Sequence, residues 1–231
     1  MQNLLDYLRS ELEQNGYCHL ANLPAGFDHL GILAGLGPIR PQYRGELVWD
    51  LKPEPNMDDV YHSNNRAALL PHTEGYELSG LPPRYIGLWC VRPAAGPGGE
   101  TTLADGHSVL SVLSDSDLTL LRTHQYEWKS SEGLARQGIR LRTRHPVLED
   151  HGGNTVLRFS YNNAVRVEEG PLIRYLELGL EHFDRTRVAL RLARADLLVW
   201  DNWRMLHSRT AFRDPGRHLK RVLIDAKEVA E

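Results

Sequence analysis

The chain has 231 residues, 41% of them hydrophobic and 25% charged, which suits one domain with a substantial core and excludes a disordered chain. Lys and Arg total 27 and Asp and Glu total 30, a net charge of −3 that supplies no basic field for nucleic acid or an anionic membrane. The two distant cysteines, Cys18 and Cys90, form no secreted disulfide framework. With no signal-peptide pattern and no apolar run long enough for a membrane span, the expectation is a soluble, cytoplasmic, single domain over 1–231. Its 11 histidines point towards metal or proton chemistry.

Leu4, Leu5, Leu8 and Leu12 fall at helical spacing and predict an amphipathic helix over 3–13, ended by Gly16. A strand is predicted at 17–20, a helix at 27–36, a strand at 45–51 and a loop rich in Pro, Asn and Asp at 52–65. From Arg84 the chain turns β-rich. Residues 85–91 read as a buried strand, and Gly96-Pro97-Gly98-Gly99 as a turn. Asp105 is expected to cap a helix through Leu113, with another helix at 115–122. Strands at 125–129, 139–145 and 155–160 precede a helix at 171–186. Three strands close the chain, at 188–192, at 197–209 with a break, and at 219–225. This order predicts a mainly β protein with flanking helices (α+β) around a jelly-roll or cupin-like barrel.

The sharpest local motif is His72-Thr73-Glu74. On a strand, residues two apart share a face, so one ion could meet both side chains. His207, which follows the apolar run 197–200, offers a distant third ligand. Two His and one carboxylate with open positions suit non-haem Fe(II), and zinc accepts the same donors. Residues 212–216 read as a hairpin turn centred near Asp214, which sets position 221 opposite position 207. Arg221 would then share the face of His207, and alternation keeps Arg217 there too. A buried Arg beside a metal requires an anion, and its fork suits a carboxylate.

His72-Thr73-Glu74, Gly98-Gly99-Glu100-Thr101, Trp200-Asp201-Asn202 ahead of His207, and Arg217 with Arg221 together resemble the TauD/TfdA family of Fe(II)- and 2-oxoglutarate-dependent dioxygenases. The matching order runs from Leu70 to Ile224, about two-thirds of the chain. The resemblance implies a double-stranded β-helix, with iron on His72, Glu74 and His207. It also implies that Thr101 and Arg221 hold the distal carboxylate of 2-oxoglutarate, with Arg217 nearby. O2 and 2-oxoglutarate would be co-substrates, yielding succinate and CO2 as a substrate C–H bond is oxidised. Glu74 stands where most members carry Asp. It resembles the clavaminate-synthase and amino-acid β-hydroxylase branch, and it tilts the substrate towards amino acids.

Further candidates for substrate contact are Arg158, set in the apolar stretch 156–159, and Arg209, two residues beyond His207. Either would meet an anionic substrate group if it faced the barrel interior. Tyr61 and Asn64 precede the His72 motif and are candidates for the pocket mouth. The expected function is hydroxylation of a small polar metabolite, with no nucleic-acid or membrane partner and with homo-oligomer formation left open. Desaturation or cyclisation within the family, and a cupin-like metal-binding protein without oxygenase turnover, are the alternatives.

Overall fold

The computed structural model describes residues 2–165 and 170–227. Helix α1 (Gln2–Asn15) leads into β1 (Tyr17–Leu20), and α2 (His29–Ala34) is followed by β2 (Ile39–Arg40), β3 (Trp49–Leu51) and β4 (Leu69–His72). Strands β5 (Tyr85–Arg92) and β6 (Thr101–Asp105) precede an inserted region. That region holds α3 (Asp115–Thr123), β7 (Tyr126–Lys129), α4 (Glu132–Arg136) and β8 (Arg142–His145). It continues through β9 (Leu148–His151), β10 (Asn154–Leu157), β11 (Ala164–Val165) and α5 (Pro171–Thr186). The chain then returns as β12 (Val188–Leu190), β13 (Leu197–Asp201), β14 (Met205–Arg209) and β15 (His218–Ile224).

Two antiparallel sheets form the core. One runs β1-β13-β5-β15-β2, with β3 also on β15, and the other runs β12-β6-β14-β4. From β4 to β6, and again from β12 to β15, successive strands alternate between the two sheets. This is the winding of a double-stranded β-helix, as the sequence predicted.

Side-chain alternation builds the layers. Ile86 and Leu88 of β5, Leu198 and Trp200 of β13, and Leu219 and Leu223 of β15 face inward between the sheets. Leu197, Val199, Val222 and Ile224 point outward instead, where Leu8 and Leu12 of α1 and Ile32 and Leu33 of α2 cover them. On the second sheet, Leu206 faces out into the core of the inserted region, around Trp128, Phe159 and Tyr175. Each fully buried aliphatic side chain stabilises the fold by roughly 1.5–3 kcal/mol. The same alternation sets His207 inward on β14, between Met205 and Arg209, and Arg221 inward on β15, between Leu219 and Leu223.

Some expectations require correction. Residues 105–113 give a 3-10 turn over His107–Val112, and Asp105 Oδ1 accepts one bond from the His107 N–H at 2.9 Å instead of capping an α-helix. The strand predicted at 45–51 is confined to Trp49–Leu51. Strand β4 supplies the strand setting considered for His72, although it carries Pro71, a residue unusual in a strand. The proline is tolerated because β4 lies at the edge of its sheet, where β14 is its one partner strand and a single bridge joins His72 to Ser160. Among the described residues, no helix is long and apolar enough to cross a membrane.

The turn before β6 shows a strict glycine requirement. Gly98 has φ +86°, and a Cβ there would stand 1.8 Å from the Ala211 carbonyl oxygen, whereas Gly96, at φ +76°, has open space around it. Gly96→Ala should therefore cost only the left-handed backbone penalty of about 1–2 kcal/mol. Gly98→Ala should cost clearly more, because the backbone of Ala211 must also move. Paired denaturant titrations read the difference, and equal losses would contradict the contact.

Candidate metal centre and adjoining cavities

His207 on β14 pairs directly with His72 on β4, and the two imidazole centroids lie 4.1 Å apart. His72 is the last residue of β4, and Glu74 lies past the strand end in a turn. The two are thus not alternate residues of one strand. Glu74 is brought back by Asn202, a fully buried residue in the break between β13 and β14. Asn202 Oδ1 accepts from the Glu74 N–H at 2.7 Å, while its Nδ2 donates to the Glu74 and Pro83 carbonyls at 3.0 and 2.9 Å. One ligand atom each from His72, Glu74 and His207 lies within 4.8 Å of the others.

The donors are in a state that suits a divalent metal. His72 Nδ1–H donates to the Leu70 carbonyl at 2.8 Å, which leaves its Nε2 lone pair free. Burial lowers the pKa of His72, and burial with His72 alongside drives His207 well below the usual imidazole value, so both rings are neutral. Glu74 Oε1 forms an ion pair with Arg221 Nη1 at 2.6 Å, and Oε2 stands 3.9 Å from His207 Nε2. Two neutral imidazoles and one half-engaged carboxylate fit a 2-His-1-carboxylate centre.

The hairpin arithmetic for Arg221 does not survive. Strands β14 and β15 lie in different sheets, and the strand neighbours of Arg221 are Leu88 and Trp49. Arg221 meets the site across the barrel, facing His207 from the opposite sheet. Its Nε and Nη2 donate to Gln42 Oε1 at 3.1 and 2.9 Å, so with Glu74 on Nη1 its fork is engaged.

Two contiguous cavities, each of about 50 Å³ and open to solvent on one side, share His72, Glu74, Ser63, Leu69 and Arg221 as walls. The second continues to Thr101, Arg209 and Arg217. Arg217, 4% exposed, makes one long bond, from Nη2 to the Gly99 carbonyl at 3.3 Å. Arg209, 5% exposed, donates to the Ser63 and Ala67 carbonyls at 2.6 Å and to Asn65 Oδ1 at 2.7 Å, while its Nε lacks a partner. Neither guanidinium forms an ion pair with a described carboxylate, and both lie about 5 Å from the Phe212 ring. Burial lowers Arg209 to about 9, with Arg217 adding repulsion, and burial lowers Arg217 to about 10. Glu100 offsets the Arg217 charge only from a distance, so two buried cations without an ion-pair partner give this cavity a positive potential.

The first cavity reaches Tyr43, Tyr61, His62 and Glu77. Tyr61 lines it as expected, and its phenol also exchanges bonds with the Leu70 main chain at 3.2 and 3.0 Å, bracing β4. Asn64 does not line either of these cavities; its Nδ2 donates to Glu54 at 2.6 Å. Arg158 is a second correction. It follows β10, which pairs with β9 outside the barrel sheets, and its guanidinium is held by the Leu78 carbonyl at 3.0 Å and Glu149 at 3.2 Å. Asn202, Gln42 and Glu77 were missed. Asn202 stood in the quoted Trp200-Asp201-Asn202 motif without a role, and local spacing marks neither Gln42 nor Glu77.

A family model described as "Taurine catabolism dioxygenase TauD, TfdA family" matches residues 2–223. Tyrosine isonitrile desaturase of Pseudomonas aeruginosa is 28% identical over 198 residues, covering 78% of this chain and 66% of that protein. L-asparagine oxygenase of Streptomyces coelicolor is 29% identical over 178 residues, covering 76% of this chain and 52% of that protein. The chain thus spans about half to two-thirds of these relatives' length. A crystal structure of asparagine oxygenase with Fe(II), 2S,3S-3-hydroxyasparagine and succinate superposes with a TM-score of 0.80 at 24% identity. That match covers 98% of this chain and 80% of that one, and it shows a common fold.

Two outcomes follow from the geometry. Asn202→Ala should weaken divalent-metal binding by about 10–100-fold, because Glu74 loses its backbone anchor. Metal titration of the folded variant, checked by circular dichroism, reads this, and unchanged affinity would remove Asn202 from the site. The second concerns His62, 4% exposed, which burial lowers from 6.5 to about 4 while its Nδ1 accepts from the Asn64 N–H. Between those values the unfolded chain holds a proton that the folded chain does not. The stability contributed by neutral His62 is therefore full above pH 6.5 and lost as pH falls towards about 4, by about 3 kcal/mol in all. Denaturant midpoints of His62→Gln should fall less steeply with acid than those of the unsubstituted protein.

Proposed function

The chain belongs to the TauD/TfdA dioxygenase family, and from that membership and the site geometry we propose that it is an Fe(II)- and 2-oxoglutarate-dependent dioxygenase that hydroxylates an amino acid or a close derivative. One observation carries the reading: three convergent metal donors open onto a cavity holding two buried guanidiniums without a carboxylate partner. His72, Glu74 and His207 would hold the iron. Bound there, Fe(II) supplies the redox chemistry that couples O2 and the oxidative decarboxylation of 2-oxoglutarate to oxidation of a substrate C–H bond.

The chain's own residues divide the remaining work. Arg221 holds Glu74 Oε1 and leaves Oε2 turned towards the metal donors. Thr101 and Arg217 receive the distal carboxylate of 2-oxoglutarate, and the Arg209 charge adds to the attraction. This moves the anchoring role expected of Arg221 to Arg217, whose fork is less engaged. Trp200 and Leu88 give that cavity apolar walls, which exclude water and strengthen each ionic contact. The substrate enters the other cavity, walled by Tyr43, Tyr61 and His62. The amino-acid class rests on Glu74 and on the asparagine oxygenase likeness. Hydroxylation gives a product one oxygen heavier, whereas the desaturation named for the Pseudomonas relative gives one two hydrogens lighter. Buried, unpaired Cys18 and Cys90 agree with a cytoplasmic location, and the expected partners are small molecules.

The test is anaerobic binding of Fe(II) and 2-oxoglutarate, then succinate release on admitting O2. Arg217→Lys should weaken 2-oxoglutarate binding by an order of magnitude or more while iron binding persists, because Lys keeps the charge and loses the fork. Intact affinity in Arg217→Lys, with a loss in Arg221→Lys, would return the role to Arg221. A protein that binds iron without releasing succinate would instead be a metal-binding member without turnover.

A further inference from the structure

Glu77 lies three residues past Glu74 and is 2% exposed. It lines the same cavity as His72 and Glu74. Its Oε1 accepts from the Tyr43 hydroxyl at 2.5 Å. Its Oε2 is buried with no hydrogen-bond partner. Burial, with Glu74 nearby, pushes the Glu77 carboxyl up to about 7, and the cost of the unpaired oxygen is met either by a proton or by a donor from outside the wall.

The cavity walls do not supply that donor. The Arg221 fork is taken by Glu74 and Gln42. The Tyr61 hydroxyl is engaged with the main chain of Leu70. His62, with Nδ1 accepting, carries its proton on Nε2, and Ser131 keeps its hydroxyl proton, but neither donates to Glu77 Oε2. None of the described wall groups, Trp49 and Tyr76 included, donates to Oε2, which leaves it open to a donor from whatever fills the cavity. Glu74 and Glu77 both line this space, and each repels the other's charge. A cation near Glu77 relieves that repulsion, which a neutral donor does not.

We propose that Glu77 Oε2 is the acceptor for a protonated amine of the substrate, with Tyr43 fixing the carboxylate so that this oxygen faces the cavity. The assignment rests on the dioxygenase reading of the site and narrows it: the substrate enters as an ammonium, and Glu77 selects for the amine. Tyr43 is a positioning residue in this scheme.

The test uses the full chain with Fe(II) and 2-oxoglutarate bound under anaerobic conditions. The standard L-amino acids, their decarboxylated amines and the corresponding deaminated acids are titrated, with calorimetry and the visible spectrum of the iron centre as readouts. At least one amine should bind about tenfold or more tightly than its deaminated counterpart. Glu77→Gln keeps an oxygen for Tyr43 and turns the free acceptor into a donor. It should erase that preference while the affinities for Fe(II), for 2-oxoglutarate and for the deaminated acid stay within about twofold. Tyr43→Phe should reduce the preference without erasing it. A preference retained in Glu77→Gln, or a protein that binds Fe(II) and 2-oxoglutarate but no amine of the set, would overturn the proposal and leave the dioxygenase reading intact. Failure of the unsubstituted protein to bind Fe(II) and 2-oxoglutarate would overturn both.

Discussion

The register of β14 against β4 governs the centre. His207 and His72 are direct cross-strand partners, so their rings meet because their backbones do. A slip of one residue would turn every side chain of β14 to the opposite face. His207 would then point into the core around Trp128, and Leu206 would stand over Glu74. Two features hold the register. Met205 and Leu206 are buried in separate cores on opposite faces of the sheet. Beside the ligand, Ser208 Oγ donates to the Leu69 carbonyl at 2.6 Å.

Glu74 and the arginines obey a different constraint, that of charge in a space with little water. Glu74 is held from two directions, by Asn202 on its backbone and by Arg221 on its carboxylate. The Glu74–Arg221 pair alone is neutral. Arg209 and Arg217 are the buried excess, and they lie in the cavity whose walls include the metal donors. Burying two cations together opposes folding unless something negative joins them. The fold therefore carries an electrostatic deficit that the proposed dianionic co-substrate would offset, so that its binding would recover part of what folding gave up.

Much of this was legible in the sequence, for identifiable reasons. Helices with apolar stripes and strands with apolar runs declared themselves, as in 171–186 and 17–20, because burial on one face leaves a period. Ligand candidates were legible as residue types in motifs. Their delivery was not, because it depends on contacts between distant segments. Glu74 was assigned to a strand face, yet a turn carries it and Asn202, 128 residues away, holds it. The hairpin arithmetic chose Arg221 for a cross-strand reason that the two-sheet winding does not supply. Arg158 looked like an inward charge because its neighbours are apolar. Of its partners, Glu149 lies on the paired strand β9 across the Gly152-Gly153 turn, but Leu78 is 80 residues away, beyond the reach of local spacing.

The two inward arginines of the anion cavity differ in what a ligand must displace. Arg209 is bonded to Ser63, Asn65 and Ala67, and through them it ties the loop carrying Tyr61 and His62 to β14. An anion drawing on its fork would compete with three acceptors and loosen the wall of the neighbouring cavity beside Tyr61 and His62. Arg217 has one long bond to break, to the carbonyl of Gly99, and that glycine adjoins the Gly98 turn packed on Ala211. Direct capture is therefore cheaper at Arg217, while Arg209 contributes through its charge and through the loop it fixes. In the proposed reading, the cavity for the anion and the cavity for the substrate are thus coupled through one guanidinium. The shape of the second depends on Arg209 keeping its carbonyl partners while the first is filled.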